Sequence, residues 1–406
     1  MVILVKKTLI TIFLVVLAGW LLYHSRLERQ IHFKDYRFTA QEANRLKYFP
    51  EAQYAYGSRA LYRNDTDAAA GFFRQSVSHD ILYMDGWLKL AEVEAAKGNP
   101  EKASTILSFT DSMTAGVFRW KWSQTLLAHE LGMDDIFLRN VNYLLAHRKL
   151  VDDALQLLEI HFKRDPFETL HAIDHQNLAP YLKWLMRWDR VDDSIAAWQK
   201  ITETDTPDAQ MVLQFVNFLI NKKRVKEAQA VWHSGDDERL MTNGGFEEEI
   251  TRQAFDWRYG NDRDGRWKIE RVQTPTYGGS YALEVAFAGH ENISFHHLYQ
   301  IVPVEPMLSY MLTYWWRSDN ITTDQGPFFD IYSYDIKGLY VKGPMIKGTN
   351  PWHSEVIEFT TPRDCHAIVL RLRRLESHRF DSKMAGILWL DDFQLENLPS
   401  QMQKIH

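Results

Sequence analysis

Asn243-Gly244-Gly245-Phe246-Glu247 and, roughly 145 residues later, Leu388-Trp389-Leu390-Asp391-Asp392-Phe393-Gln394-Leu395 bracket the segment whose reading decides the fold. Between them the chain reads as short alternating strands, with no sustained helical period to compete. Residues 280–287 place Tyr281, Leu283, Val285 and Phe287 on one face, because strand side chains alternate. His297, Tyr299 and Ile301 do the same in the next run, as do Ile368, Leu370 and Leu372 in a later one. Gly278-Gly279, Gly289, Gly326-Pro327, Gly338, Gly343-Pro344 and Gly348 punctuate these runs as turns. Many short strands separated by Gly and Pro predict an antiparallel β-sandwich over 241–398.

Four features of this segment carry a family resemblance. They are the Asn-Gly-Gly-Phe-Glu opening, Gly279-Ser280-Tyr281-Ala282-Leu283 after a turn, Pro351-Trp352 before a strand, and the closing Trp389-Leu390-Asp391-Asp392-Phe393. With them, about 155 residues resemble a jelly-roll sandwich of the carbohydrate-binding-module, galactose-binding-like type. The same skeleton serves many modules, some of which bind no sugar. The resemblance implies that a first-strand Glu and a last-strand Asp help hold a structural calcium, and Glu247 and Asp392 match by position. Calcium takes six to eight oxygens, of which the sequence supplies these two side chains plus backbone carbonyls it does not specify; a salt-linked or hydrogen-bonded strand pair is the alternative.

The polar sides of the strands hold the candidate ligand-binding groups. Residues 310–318 put Trp315 and Arg317 together with Thr313; 328–335 put Asp330, Tyr332 and Tyr334 on one side; 369–375 put Arg371 and Arg373 side by side. Drawn as one sheet face, these form a polysaccharide groove, with an acidic sugar as one candidate occupant. Aromatic rings stack on the apolar faces of pyranoses, Arg and Asp bond hydroxyls, and Arg pairs bidentately with carboxylates. The bland alternative is a solvated face with cross-strand Arg–Asp pairs and aromatics present as good strand formers.

Composition excludes several classes. Residues 243–398 carry 16 Lys+Arg against 22 Asp+Glu, so the whole net charge of -6 resides there. Neither part shows the basic footprint of a nucleic-acid binder. The single cysteine, Cys365, rules out an intramolecular disulfide and reads as a buried small hydrophobe. No hydrolase elbow, phosphate loop, dinucleotide fingerprint or His-Glu-x-x-His is present. Glu284 with Asp330 is the only carboxylate pair to nominate for a glycosidase. His296 and His297, adjacent in a strand, are expected on opposite faces.

Upstream, a 34-residue period links Gln53, Tyr56, Gly57, Ala60, Ala69 and Phe73 to Trp87, Leu90, Ala91, Glu94, Ala103 and Leu107. This spacing resembles the tetratricopeptide pattern, in which small residues let two helices of a repeat touch. Gly98-Asn99-Pro100 supplies the break between helices. Residues 149–155, 190–195 and 224–229 repeat one helix opening, with Ser194 and Ala228 again 34 apart. About five repeats are expected over 38–237, forming a solenoid with a concave groove for protein partners. Its tryptophans read as inter-helix packing, and Asp152-Asp153 and Asp192-Asp193 as first-turn acids favoured by the helix dipole.

The first 30 residues read as an anchor. Lys6 and Lys7 precede an uncharged run from Thr8 to Tyr23, extendable through Val2–Val5. Trp20 and Tyr23 suit an interfacial belt; cleavage after Ala18 is the rival reading. The expected architecture is therefore multidomain: a transmembrane helix, a tetratricopeptide-like all-α solenoid and an all-β jelly roll. The expected protein is a single-pass membrane, non-catalytic scaffold with its body periplasmic or extracytoplasmic. It would hold protein partners by the solenoid and glycan by the sandwich, as in exopolysaccharide or envelope assembly. The alternatives are a pure protein–protein scaffold and a glycan-active enzyme.

Overall fold

The computed structural model describes residues 11–23, 25–26, 46–203, 205–232, 240–379 and 382–398. The chain divides after Ile201 into two compact units.

Residues 11–23 and 25–26 are helical, and the rest of the predicted anchor lies outside the described residues. Among the described residues no helix is long and apolar enough to cross a membrane. This finding overturns the expectation of a single-pass membrane protein.

The first unit contains successive helices: α1 (Pro50–Tyr62), α2 (Thr66–His79), α3 (Met84–Ala96), α4 (Pro100–Met113), α5 (Phe118–Leu131), α6 (Asp134–Ala146), α7 (Val151–His161), α8 (Pro166–Ala172), α9 (Leu178–Arg187) and α10 (Val191–Thr202). Neighbours α1 and α2, α3 and α4, and α5 and α6 pack as pairs. Small residues at the crossings do what the period predicts. A Cβ on Gly57 would stand 2.6 Å from the Phe73 ring, and Ala69, Ala91 and Ala103 are fully buried. Pro100 opens α4 after Gly98, whose φ of +78° suits the turn. The paired aspartates lie in the first turns of α7 and α10, as the dipole argument requires. Trp184 and Trp198 are buried, and the Trp87 ring meets Phe109 edge-on at 5.2 Å; Trp188 is instead exposed.

In the second unit, α11 (Ala209–Asn221) and α12 (Val225–Trp232) precede ten strands. The strands are β1 (Arg258–Tyr259), β2 (Trp267–Val272), β3 (Ala282–Ala288), β4 (Phe295–Pro303), β5 (Ser309–Ile321), β6 (Phe328–Ser333), β7 (Tyr340–Lys342), β8 (Gly348–Thr360), β9 (Ala367–Arg374) and β10 (Ala385–Asn397). They form two antiparallel five-stranded sheets, ordered β1-β4-β9-β6-β7 and β2-β3-β10-β5-β8. One shared core lies between them, as in a sandwich whose inner faces interdigitate.

The two bracketing phrases meet in that core. Phe246 and Phe393 are 5.9 Å apart edge-on, and Tyr314 stacks on Phe393 at 5.1 Å. The Phe393 N–H donates to the Gly244 carbonyl at 2.9 Å. A Cβ on Gly244 would stand 2.1 Å from the Phe393 carbonyl oxygen, so this approach of two backbones needs glycine. Leu283, Val285, Phe287, Ile368, Leu370 and Leu372 point inward as expected. In β4 the phase is reversed: Leu298, Gln300 and Val302 are the inner residues, and Tyr299 and Ile301 face out. Gln300 misleads the pattern because its amide is buried, donating to the Thr242 carbonyl at 2.7 Å. Cys365 is buried, and burial pushes its thiol up.

Candidate functional site

In β5, β6 and β9 alternation puts the expected side chains on the outer sides, but topology splits them between two faces. Trp315 and Arg317 lie on β5 in the second sheet, whereas Asp330, Tyr332, Arg371 and Arg373 lie on β6 and β9 in the first. The single groove drawn from the sequence is therefore two surfaces on opposite sides of the sandwich.

On the first sheet, registered residues share a face, so one rung crosses five strands: Arg258, Tyr299, Arg371, Asp330 and Lys342. The next rung holds Ile301, Val369, Tyr332 and Tyr340. Asp330 is fully buried, and Arg371 grips it bidentately at 3.0 and 2.8 Å. Arg373 approaches the same carboxylate at 3.4 Å. The Arg371 guanidinium also lies 4.7 Å from the centre of the Tyr332 ring, a cation–π distance. Burial works against the Arg371 charge, yet the Asp330 carboxylate outweighs it and raises the arginine's pKa. Tyr332 is raised by burial, with Arg371 pulling the other way. Lys342 sits over the Phe328 ring at 4.3 Å, and Tyr340 is 56% exposed.

Tyr334 leaves this patch. Its hydroxyl donates to the Ile220 carbonyl at 3.0 Å. Lys223 donates to its backbone carbonyl at 2.8 Å, with the ammonium 3.2 Å from its ring centre. The turn between α11 and α12 thus caps that end of the sheet, where α12 packs on β4. Ile301 and Val369 face outward on the same sheet and are nonetheless buried.

The second sheet carries a different surface. Tyr277, from the loop before β3, stacks on Trp315 at 3.7 Å and 12°, with Trp352 at 6.0 Å. The buried Asp391 fixes that loop by accepting the N–H groups of Tyr277 and Gly278 at 2.8 and 3.1 Å. Burial raises its pKa, and those same bonds lower it. Arg317 lies 5.5 Å from the Trp389 ring, whose Nε1 donates to Glu284 at 2.8 Å. Glu284 and Asp330 therefore stand on opposite outer faces and cannot flank one glycosidic bond.

The two carboxylates expected at a calcium site each accept hydrogen bonds from the chain. Glu247 Oε1 accepts the backbone N–H groups of Ser280 and Tyr281 at 2.9 and 3.1 Å, and Asp392 Oδ1 accepts the Gln394 amide at 2.8 Å. Among the described residues no group of three or more His, Cys, Asp or Glu is placed to hold a metal. His296 and His297 are also not on opposite faces. The bulge between Phe295 and Leu298 stacks their rings at 4.3 Å, and His297 stacks on Trp267 at 4.5 Å.

Sequence reading missed Tyr299, Tyr340 and Lys342 on the first face and Tyr277 on the second. Tyr340 and Lys342 alternate in a strand too short to register as a period. Pro351-Trp352, expected before a strand, lies inside β8.

No family model matches the chain, and no curated protein does. Among solved structures, TmCBM61 in complex with beta-1,4-galactotriose is 18% identical over 40% of this chain and 100% of its own, with a TM-score of 0.28. The CBM22-1 xylan-binding domain from Paenibacillus barcinonensis Xyn10C is 14% identical over 39% of this chain and 93% of its own, TM-score 0.26. A cyclase from Fischerella sp. TAU is 13% identical over 40% of this chain and 98% of its own, TM-score 0.29. The sandwich itself rests on its own two sheets and their common core, independently of these likenesses.

Proposed function

We propose that the sandwich is a glycan-binding module whose groove is the open part of the first sheet's outer face. The observation that carries this reading is the Tyr332–Arg371–Asp330 constellation, flanked across the rungs by Tyr299 and Tyr340. Aromatic rings in such an array offer flat apolar surfaces to sugar rings. The buried carboxylate fixes the guanidinium's plane, so its outward N–H groups are preorganised for hydroxyl or carboxylate oxygens. A second reading places the sugar on the opposite sheet, where the Tyr277–Trp315 stack and Trp352 form an aromatic strip.

The helical unit fits the role of a protein-docking scaffold, since paired helices with small residues at their crossings leave hollows along the stack. One such hollow, of about 580 Å³, is lined by Val77, Trp87, Leu90 and Ile106 with Arg74 and Lys102 at its rim.

A glycan array and affinity gels run with the full chain test the sandwich reading. Tyr332→Ala and Tyr340→Ala are expected to weaken retention about tenfold each, the loss of one good stacking contact of roughly 1.4 kcal/mol. Trp352→Ala should leave binding unchanged. If only Trp352→Ala weakens it, the sugar sits on the second sheet; if a folded chain binds no glycan, the sandwich serves a structural role.

A further inference from the structure

We infer that the first sheet's groove takes an acidic polysaccharide, one bearing uronate carboxylates, rather than a neutral one. This deepens the glycan reading above and rests on it. The open face carries Arg371, Arg373 and Lys342 against the single carboxylate Asp330, a local balance of 3 − 1 = +2. Residues 243–398 as a whole carry 16 cations and 22 anions; removing those four leaves 13 − 21 = −8. A positive patch on an otherwise acidic module is a local feature of this face. The charged groups acting on Tyr332, at its centre, are Arg371, Asp330 and Arg373.

The division of labour among the cations follows from their contacts. Arg371 is committed to Asp330 by two bonds and is about one-fifth exposed, so its charge is already balanced. Arg373 touches Asp330 only at 3.4 Å and keeps a third of its side chain exposed. Lys342 lies across the Phe328 ring, with its residue exposed to solvent. Two cations are therefore left for a ligand, one from each side of the Asp330 strand. The planar guanidinium of Arg373 matches a carboxylate fork, and the Lys342 ammonium adds a point charge beside it. Tyr332 and Tyr340 on the adjacent rung supply the ring surface against which the same sugar would lie. A neutral sugar would offer Lys342 no counter-charge and leave Arg373 with only its long contact to Asp330.

Affinity gels of polygalacturonate, alginate and hyaluronan, each run beside its carboxyl-reduced neutral counterpart, test this with the full chain. A polyglutamate gel serves as the anionic control without sugar. The expected result is retention on at least one acidic glycan, lost on its reduced counterpart and on polyglutamate. Lys342→Gln and Arg373→Gln should each weaken it about threefold to tenfold, an effect that shrinks as salt rises. Both side chains are solvent-accessible, so circular dichroism should remain unchanged. Equal retention on the acidic and reduced forms, or on neutral glycans alone, overturns the acidic assignment and leaves the glycan reading standing. Equal retention on polyglutamate overturns it as plain charge attraction. Silence on every acidic gel also overturns it, and silence on cellulose, xylan and galactan as well removes the glycan reading with it.

Discussion

At the scale of single residues, Asp330 is the most exacting position in the sandwich. A fully buried carboxylate is tolerable because Arg371 meets both its oxygens, Arg373 adding only a longer contact at 3.4 Å. Removing one partner of such a pair costs more than removing both, because the survivor keeps its desolvation penalty. We therefore expect Arg371→Ala to lower unfolding stability by about 3–5 kcal/mol, with the double change Asp330→Ala and Arg371→Ala costing less than the single one. Denaturant midpoints of the three proteins decide this; a double variant weaker than Arg371→Ala would refute it. For the same reason Arg371→Ala is a poor probe of ligand binding, since lost binding and lost folding would coincide. Gly244 shows the opposite economy: no side chain is needed there, only the absence of one, so that the Phe393 carbonyl can approach.

At the scale of elements, the sequence was most legible where a periodic pattern coincided with burial, and least where topology or irregularity intervened. Leu283, Val285 and Phe287 in β3 alternate and are buried together. In β4 two irregularities defeat the reading: the Phe295/Leu298 bulge, and a buried glutamine on the inner side. Alternation placed Trp315 and Arg371 on polar faces correctly, but nothing local to either strand says which sheet it joins. The helical elements show the same division. The 34-residue spacing marks close crossings such as Gly57 against Phe73, while the histidine cluster between α5 and α7 leaves no spacing signature. His129 and His161 contact through their Nδ1 atoms at 3.0 Å, and His161 stacks on Phe137 at 4.1 Å. Burial lowers the His161 pKa below 6.5, with Asp134 raising it and His129 lowering it further. The unfolded chain therefore takes up its proton first. Stability from this cluster is complete above about pH 6.5 and is lost as pH falls through the lower folded value. Hydrogen exchange of α5 and α7 amides should accelerate between pH 7.5 and 5.5 once corrected for intrinsic rates, and His161→Phe should flatten that dependence. Protection that grows on acidification would show the sign to be wrong.

At the scale of the whole molecule, the boundary that matters is not the one the motifs suggest. The repeat pattern carries the helices to residue 237 and starts the sandwich at 241, yet α11 and α12 share a compact unit with the strands. Within that unit Tyr334 and Lys223 tie β6's end to the helix turn, and Asn217 accepts from Ala254 N–H at 2.8 Å and from Arg258 at 2.9 Å. Trp232 meets Phe255 edge-on at 6.3 Å. Starting the module at 241 would strip this cover and with it the packing of α12 on β4, the strand that carries the outward-facing Ile301. Full exposure of one such side chain costs about 1.5–3 kcal/mol, a sizeable share of the 5–15 kcal/mol that holds a domain together. Residues 202–398 should therefore unfold cooperatively at a clearly higher temperature than residues 241–398, and the shorter fragment should bind a hydrophobic dye that the longer one ignores. Calorimetry and dye fluorescence on the two fragments measure both effects. Equal midpoints and equal dye silence would mean that the helix pair merely rests on the sheet. A large gap would make the pair part of the module, and it would explain in physical terms why the first sheet's outer face is open only from Tyr332 toward Arg373.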